Sequence, residues 1–177
     1  YGFKPKNKIF LDKSSKKLCG KFRKGHFEGV LNVVNRFIEI IKPKYIYLGK
    51  KDYQQLFLIK KHIEKRKIKS RIIECETIRE NNGVACSSRN SKLNKNQIEV
   101  ASNIHNYLRN LKKKIRKNYN LFNINKIRID LINLGANKID YVENYNIKSF
   151  KRILKSNKNF NLFFAYYIKN IRLIDNI

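Results

Sequence analysis

The stretch that decides the fold is "YIYLGKKDYQQL", residues 45–56. An apolar run, Tyr45 to Leu48, is followed at once by a glycine, two lysines and an aspartate, and then by a polar segment that turns apolar again at Leu56. The run reads as a short buried strand. The part from Asp52 to about Lys65 reads as a helix, with Leu56, Ile59 and Ile63 at inward-facing spacing. Upstream, Phe27 to Ile41 places apolar residues at 27, 30, 31, 34, 37, 38 and 41, one face of a helix, and Pro43 lies just beyond its expected end. Downstream, Arg71 to Cys75 reads as a second strand. Helix, strand, helix, strand with short connections predicts a parallel sheet with crossover helices. The chain contains no methionine, so Tyr1 is not expected to be a translation start, and the sheet is expected to begin upstream of it.

Beyond about residue 76 the pattern changes. Asn94 and Gln97 have the spacing of a capping box. They open a long helix through Ile98, Ala101, His105, Leu108, Leu111 and Ile115. A further helix is predicted over Ile124 to Leu134, and strands over Lys138 to Val142, Phe160 to Ile168 and Ile171 to Asp175, the last two joined by a tight turn at Lys169 and Asn170. The Asn/Lys-rich stretches near 116–126 and 155–161 read as loops. Residues 1–76 and 77–177 are thus expected to form two domains, the second a small α+β unit with antiparallel pairing.

At 42% apolar residues the chain can build a real core, and no stretch approaches the roughly 18 apolar residues of a membrane span. A soluble cytoplasmic protein is the expectation. The formal charge of +28 points toward nucleic acid, because clustered lysine attracts phosphate without regard to sequence. The lysines are nevertheless scattered and accompany abundant Ile and Asn, as compositional drift toward A+T-rich codons would also produce. The best-defined basic run, Lys112 to Lys117, reads equally as the solvated end of a helix. A basic RNA-binding protein is therefore the alternative reading. Cys19, Cys75 and Cys86 have neither an even count nor a CxxC pair and read as ordinary reduced thiols, Cys86 as a small buried hydrophobe after Val84 and Ala85.

Five of the seven glycines fall between residues 20 and 83. Glycine is kept where the backbone takes positive φ or a ligand approaches closely. Gly49, directly after a strand of a parallel sheet, stands where such folds bind ligands, and Lys50 or Lys51 with the following helix N-terminus would suit a phosphate. A plain N-cap at Asp52 with Gln55 as its reciprocal partner explains the same residues without a ligand. "RENNGVACSSRN", residues 79–90, places Gly83 in a turn, then a short apolar strand, then Ser87, Ser88 and Arg89, two hydroxyls and a guanidinium suited to an anion. "FRKGHFEGV", residues 22–30, sets Arg23, Lys24 and His26 around Gly25 ahead of a helix.

In this order the three segments resemble the pantothenate synthetases, or pantoate–β-alanine ligases. "RKGHFEGV" is similar to that family's Arg-Pro-Gly-His-Phe segment. "GKKDYQQL" carries its Gly-x-Lys-Asp-x-Gln-Gln motif in full, "IRENNGVACSSRN" resembles its Ser-Ser-Arg-Asn segment, and "RLIDN", residues 172–176, its closing strand. The resemblance implies an α/β fold. An incomplete Rossmann-like, nucleotidyltransferase-type parallel sheet would be followed by a small α+β C-terminal domain with antiparallel strands. It also implies ATP-dependent condensation of (R)-pantoate with β-alanine through a pantoyl adenylate, with Mg²⁺ accompanying the ATP, a homodimer, and no specific nucleic acid or membrane partner.

Carried over by residue, the resemblance places Gly49, Lys50, Lys51 and Asp52 at ATP. Lys51 would offset phosphate charge and Asp52 would address the ribose. Ile78 would lie by the adenine, and Cys86, Ser87, Ser88 and Arg89 would complete the nucleotide pocket. Gln55 would orient pantoate, with His26, Val33 and Val34 near it. The chain departs from the family at Lys24, a usual proline, at Asn82, a usual acidic residue, and at Cys86, a usual aliphatic one. The family's upstream His-x-Gly-His segment is absent, so the chain as it stands is expected to be inactive alone.

Overall fold

In the computed structural model, residues 8–154 and 159–177 are described, and the part of the expected 155–161 loop at 155–158 lies outside them. The chain divides into two compact units, Tyr1–Glu76 and Thr77–Ile177.

The first unit opens with a 3-10 turn, Lys13–Lys16, and a short helix α1, Cys19–Phe22. Helix α2, His26–Ile41, starts at Gly25, whose φ of +73° only glycine adopts cheaply, and stops at Lys42 in the left-handed region just before Pro43. Strand β1 is Tyr45–Gly49, helix α3 is Tyr53–Arg66 and strand β2 is Arg71–Cys75; the strands pair in parallel from Tyr45 opposite Arg71 to Gly49 opposite Cys75. A parallel pair requires a crossover, and α3 supplies it. Leu31 and Ile38 of α2 meet Ile59 and Ile63 of α3 over Ile46, Leu48 and Ile72 of the sheet. Among the described residues, the strand expected to be buried is covered on one face only. Ile46 and Leu48 face the helices, whereas Tyr45 and Tyr47 alternate outward, Tyr47 being 68% exposed.

Helix α3 also buries two polar side chains, Gln54 and His62. The Phe10 N–H donates to His62 Nδ1 at 3.0 Å, so that nitrogen is the acceptor and Nε2–H donates to Asn35 Oδ1 of α2 at 3.1 Å.

In the second unit, helix α4, Lys95–Lys117, begins on the expected box: the Gln97 N–H donates to Asn94 Oδ1 at 3.0 Å and the Asn94 N–H to Gln97 Oε1 at 2.9 Å. Helix α5 is Ile124–Asn133. Strands β3 (Lys138–Asn146), β4 (Phe160–Ile168) and β5 (Ile171–Asn176) form an antiparallel sheet in that order. Ile104 and Leu108 of α4 and Ile127 and Leu131 of α5 pack with Val142, Phe164 and Leu173 of the sheet. Strand β3 runs four residues past the expected Val142, to Asn146, because Glu143 to Asn146 continue to pair with Phe160 to Phe163 across a bulge near Asp140. The strand expected after Gly83 is reduced to a single bridge between Arg79 and Ala85.

Burial, with the charge of Arg66 nearby, holds the His62 imidazole below its ordinary pKa. The unfolded chain therefore takes up a proton near pH 6.5 that the folded chain resists, and stability falls as pH drops through that value. Thermal unfolding between pH 7.5 and 5.5 is expected to show this loss, and His62→Gln to flatten it.

Candidate active site

The first unit contains an open depression of about 790 Å³. Arg23, Lys24, His26 and Gln55 supply its polar wall, and Val30, Val33 and Val34, at one-turn spacing on α2, its apolar wall. A Cβ at Gly25 or Gly29, which also line it, would meet nothing within 4 Å. Arg23 Nη1 lies 3.0 Å from His26 Nε2. A guanidinium only donates, so that ring nitrogen accepts and the imidazole is held in one orientation. With cationic and amide groups on one side and valines on the other, the depression suits a small anion with an aliphatic body. The predicted residues His26, Val33, Val34 and Gln55 thus share one cavity.

At the end of β1, Gly49 is extended, with φ −73° and ψ 134°, and a Cβ there would meet nothing within 4 Å. Its value is an open approach and not a positive φ. Lys50–Asp52 form a 3-10 turn into α3. Lys50 pairs with Glu76, and that hydrogen bond raises its pKa. Lys51 is half-buried and Asp52 exposed. The capping reading of this stretch fails: Asp52 makes no side-chain cap bond, and Gln55 turns to the depression instead.

The neighbouring glutamine does something the sequence reading missed. The Gln54 Nε2 donates to Ser14 O at 2.9 Å and to Lys17 O at 2.7 Å, while its Oε1 accepts from the Cys19 N–H at 3.1 Å. A helical projection carried the signal, because Gln54 lies on the turn that buries Phe57 and Leu58.

In the second unit, residues 79–90 form a loop whose shape is set by buried polar groups. Arg79 forks onto Asp175 of β5 at 2.6 and 3.1 Å and also reaches Gly83 O at 3.1 Å, and His105 Nδ1 lies 3.7 Å from the same carboxylate. Gly83, at φ +87°, sits against His105, whose ring a Cβ would approach to 2.6 Å. Asn82 Oδ1 accepts from the Val84 N–H at 3.0 Å, a role that an acidic residue there would also fill. Asn90 donates to Glu80 at 2.6 Å and to Ala85 O at 3.1 Å.

Beyond this frame come the predicted ligands. The Cys86 N–H donates to Ile78 O at 2.9 Å, which fixes these two positions beside each other. Cys86 is exposed, not the buried hydrophobe expected, because the residue it pairs with, Ile78, is itself 77% exposed and offers it no cover. Ser87 Oγ accepts from the Arg89 N–H at 3.2 Å, which leaves its own proton to donate, and Ser88 is exposed. Arg89 gives one donor to Arg172 O of β5 at 2.9 Å, which aims the guanidinium without neutralising it.

Asp175→Ala would leave Arg79 with the carbonyls of Gly83 and Asn176 and the ring nitrogen of His105, and with no anionic partner among the described residues. A lost partner in a fully buried pair costs roughly 3–5 kcal/mol. Because the Arg79 side chain is 26% exposed, a loss of about 2 kcal/mol in denaturant unfolding is expected. Arg79→Lys, lacking the fork, is expected to behave similarly.

The family model described as Pantoate-beta-alanine ligase matches residues 2–177. A pantothenate synthetase from Sulfurihydrogenibium sp. (strain YO3AOP1) is 39% identical over 92% of this chain and 59% of its own length. One from Clostridium botulinum (strain ATCC 19397 / Type A) is 38% identical over 96% and 63%. The chain thus spans roughly three fifths of the length of these curated relatives. Among solved structures, a pantoate-beta-alanine ligase from Francisella tularensis, complexed with beta-gamma ATP and beta-alanine, superposes with a TM-score of 0.72 at 34% identity, over 94% of this chain and 55% of that one. A pantothenate synthetase from Thermus thermophilus gives a TM-score of 0.86 at 23% identity, over 97% and 63%, a likeness of fold. With the motifs of both units in place and the match running almost from end to end, the chain belongs to the pantoate-beta-alanine ligase family.

Proposed function

We propose that the protein to which this chain belongs condenses (R)-pantoate with β-alanine, using ATP and releasing AMP and diphosphate. The observation that carries the reading is the depression of the first unit, where Gln55, His26 and Arg23 face Val30, Val33 and Val34. Pantoate is a carboxylate with hydroxyls on a branched aliphatic body, and the two walls match its two sides. In support, the Francisella tularensis relative was captured with beta-gamma ATP and beta-alanine. The RNA-binding alternative has no comparable support.

The chemistry needs no nucleophile from the protein. A pantoate carboxylate oxygen attacks the α-phosphorus of ATP and diphosphate leaves; the β-alanine amine then attacks the acyl carbon, AMP leaves with the bonding electron pair, and the amine gives up a proton. The residues have to orient reactants, balance charge and keep water from the mixed anhydride. Gln55 orients pantoate, with Val33 and Val34 against its methyl groups and His26, held by Arg23, at the rim. Lys51 offsets charge developing on the phosphates, and Gly49 leaves room for them beside Lys50. Asp52 addresses the ribose and Ile78 the adenine side. The Ser87, Ser88 and Arg89 donors meet phosphate, with Cys86 completing that wall. Mg²⁺ fits as a companion of the triphosphate. Among the described residues no cluster of three or more His, Cys, Asp or Glu would hold it, so phosphate oxygens and water would be its ligands, and it would neutralise charge there. No described helix is long and apolar enough to cross a membrane, and we place the enzyme in the cytoplasm as a homodimer.

Lys51→Ala in the full-length protein is expected to lower pantoate-dependent ATP–diphosphate exchange by about 100-fold or more. Exchange at the wild-type rate would refute the role of Lys51.

A further inference from the structure

We infer that Gln54, which does not line the depression, is a positioning residue for it, an inference that rests on the pantoate-pocket reading above. The reason lies in the turn that Gln54 grips. Leu18 has φ 43° and ψ −121°, the geometry of the first central residue of a II′ turn, and the turn is closed by the Gly20 N–H donating to Lys17 O at 2.8 Å. That position is normally glycine, and a leucine there is strained unless its surroundings over-determine it. Gln54 does so from both sides. It donates to Lys17 O, the carbonyl before Leu18, and accepts from the Cys19 N–H, the amide after it, while its second donated bond holds Ser14 O. Gly20 completes the packing: its position admits no side chain, since a Cβ would lie 1.6 Å from Ser15 O.

From this turn a chain of hydrogen bonds leads to the pocket wall. Cys19 O accepts from the Arg23 N–H at 2.9 Å, and Arg23 O accepts from the His26 N–H at 3.2 Å. The Arg23 guanidinium then meets the His26 ring. The next residue along α3, Gln55, lines the same depression. One helix turn therefore sets both sides of the site in register, Gln55 by facing the ligand and Gln54 by fixing the strained turn behind Arg23 and His26. A buried amide that only filled space would not need to pair with the two peptide groups that flank a strained residue.

The test uses the full-length protein carrying Gln54→Leu, with Gln55→Ala in parallel. Hydrogen exchange at the amides of residues 17–22 and the KM values for pantoate and ATP are measured for each. Gln54→Leu is expected to speed exchange in 17–22 and to raise the pantoate KM at least about tenfold, with the KM for ATP unchanged. Faster exchange with an unaltered pantoate KM would overturn the inference, and so would unaltered protection. If Gln55→Ala raises the pantoate KM and Gln54→Leu does not, the positioning role alone fails. If Gln55→Ala leaves it unchanged, the pocket reading fails and the inference falls with it. Should Gln54→Leu not fold, Gln54→Glu keeps the acceptor for the Cys19 N–H and removes both donated bonds, and the same two readouts apply.

Discussion

Helix α3 buries seven side chains, yet two of them, those of Gln54 and His62, are polar. Burying such groups without partners costs more than the packing around them returns, so whatever lies against α3 must present hydrogen-bonding atoms at those two points. The chain before α2 does this with its backbone. Ser14, Lys17 and Cys19 answer Gln54, and Phe10 answers His62. Asn35 answers His62 from α2. The segment that begins the described chain is thus held on α3 in one register by side chains of the helix. That register carries Arg23 and His26 to the same depression as Gln55.

The second unit meets a related constraint with charge. Asp175 is nearly buried and receives the fork of Arg79, while Asp140, also buried, receives Arg172 Nε at 2.7 Å. Both cations belong to segments that bear on the Ser-Ser-Arg loop, Arg79 by opening it and Arg172 by offering its carbonyl to Arg89. The closing strand is accordingly a jig for the loop as well as an edge of the sheet. This gives the "RLIDN" segment a physical role.

Much of the architecture was legible because it rests on local rules. Apolar spacing located α2, α3 and α4, the Asn94 and Gln97 pair marked a helix start that forms as read, and the apolar run 162–168 of β4 marked a strand buried on both faces. What was not legible depends on long-range pairing. Tyr45 to Leu48 looked uniformly apolar, but a tyrosine hydroxyl tolerates solvent, and only the sheet shows that Tyr45 and Tyr47 point away from the helices. Asp52 and Gln55 had capping spacing without capping geometry, because the 3-10 turn at Lys50–Asp52 carries Asp52 out of reach. Cys86 follows two buried residues and is itself exposed, because its backbone partner Ile78 is exposed too. At the site, residues on one helix face were recoverable from spacing. The same spacing separates Gln54, one turn before the buried Phe57 and Leu58, from Gln55; what it could not show is the peptide groups of Ser14, Lys17 and Cys19 that Gln54 meets.

The fork between Arg79 and Asp175 joins residues 96 positions apart in the chain, and the tether from Arg89 to Arg172 joins residues 83 apart. A ribosome makes the loop long before it makes its support, and at roughly 5–20 residues per second the interval is roughly 4 to 20 seconds. Through that interval the nascent loop has neither anchor. The Arg89 guanidinium therefore gains its tether only after β5 has left the exit tunnel, and a message cut short before that strand would yield a product with every motif residue of the loop present and both long-range anchors missing.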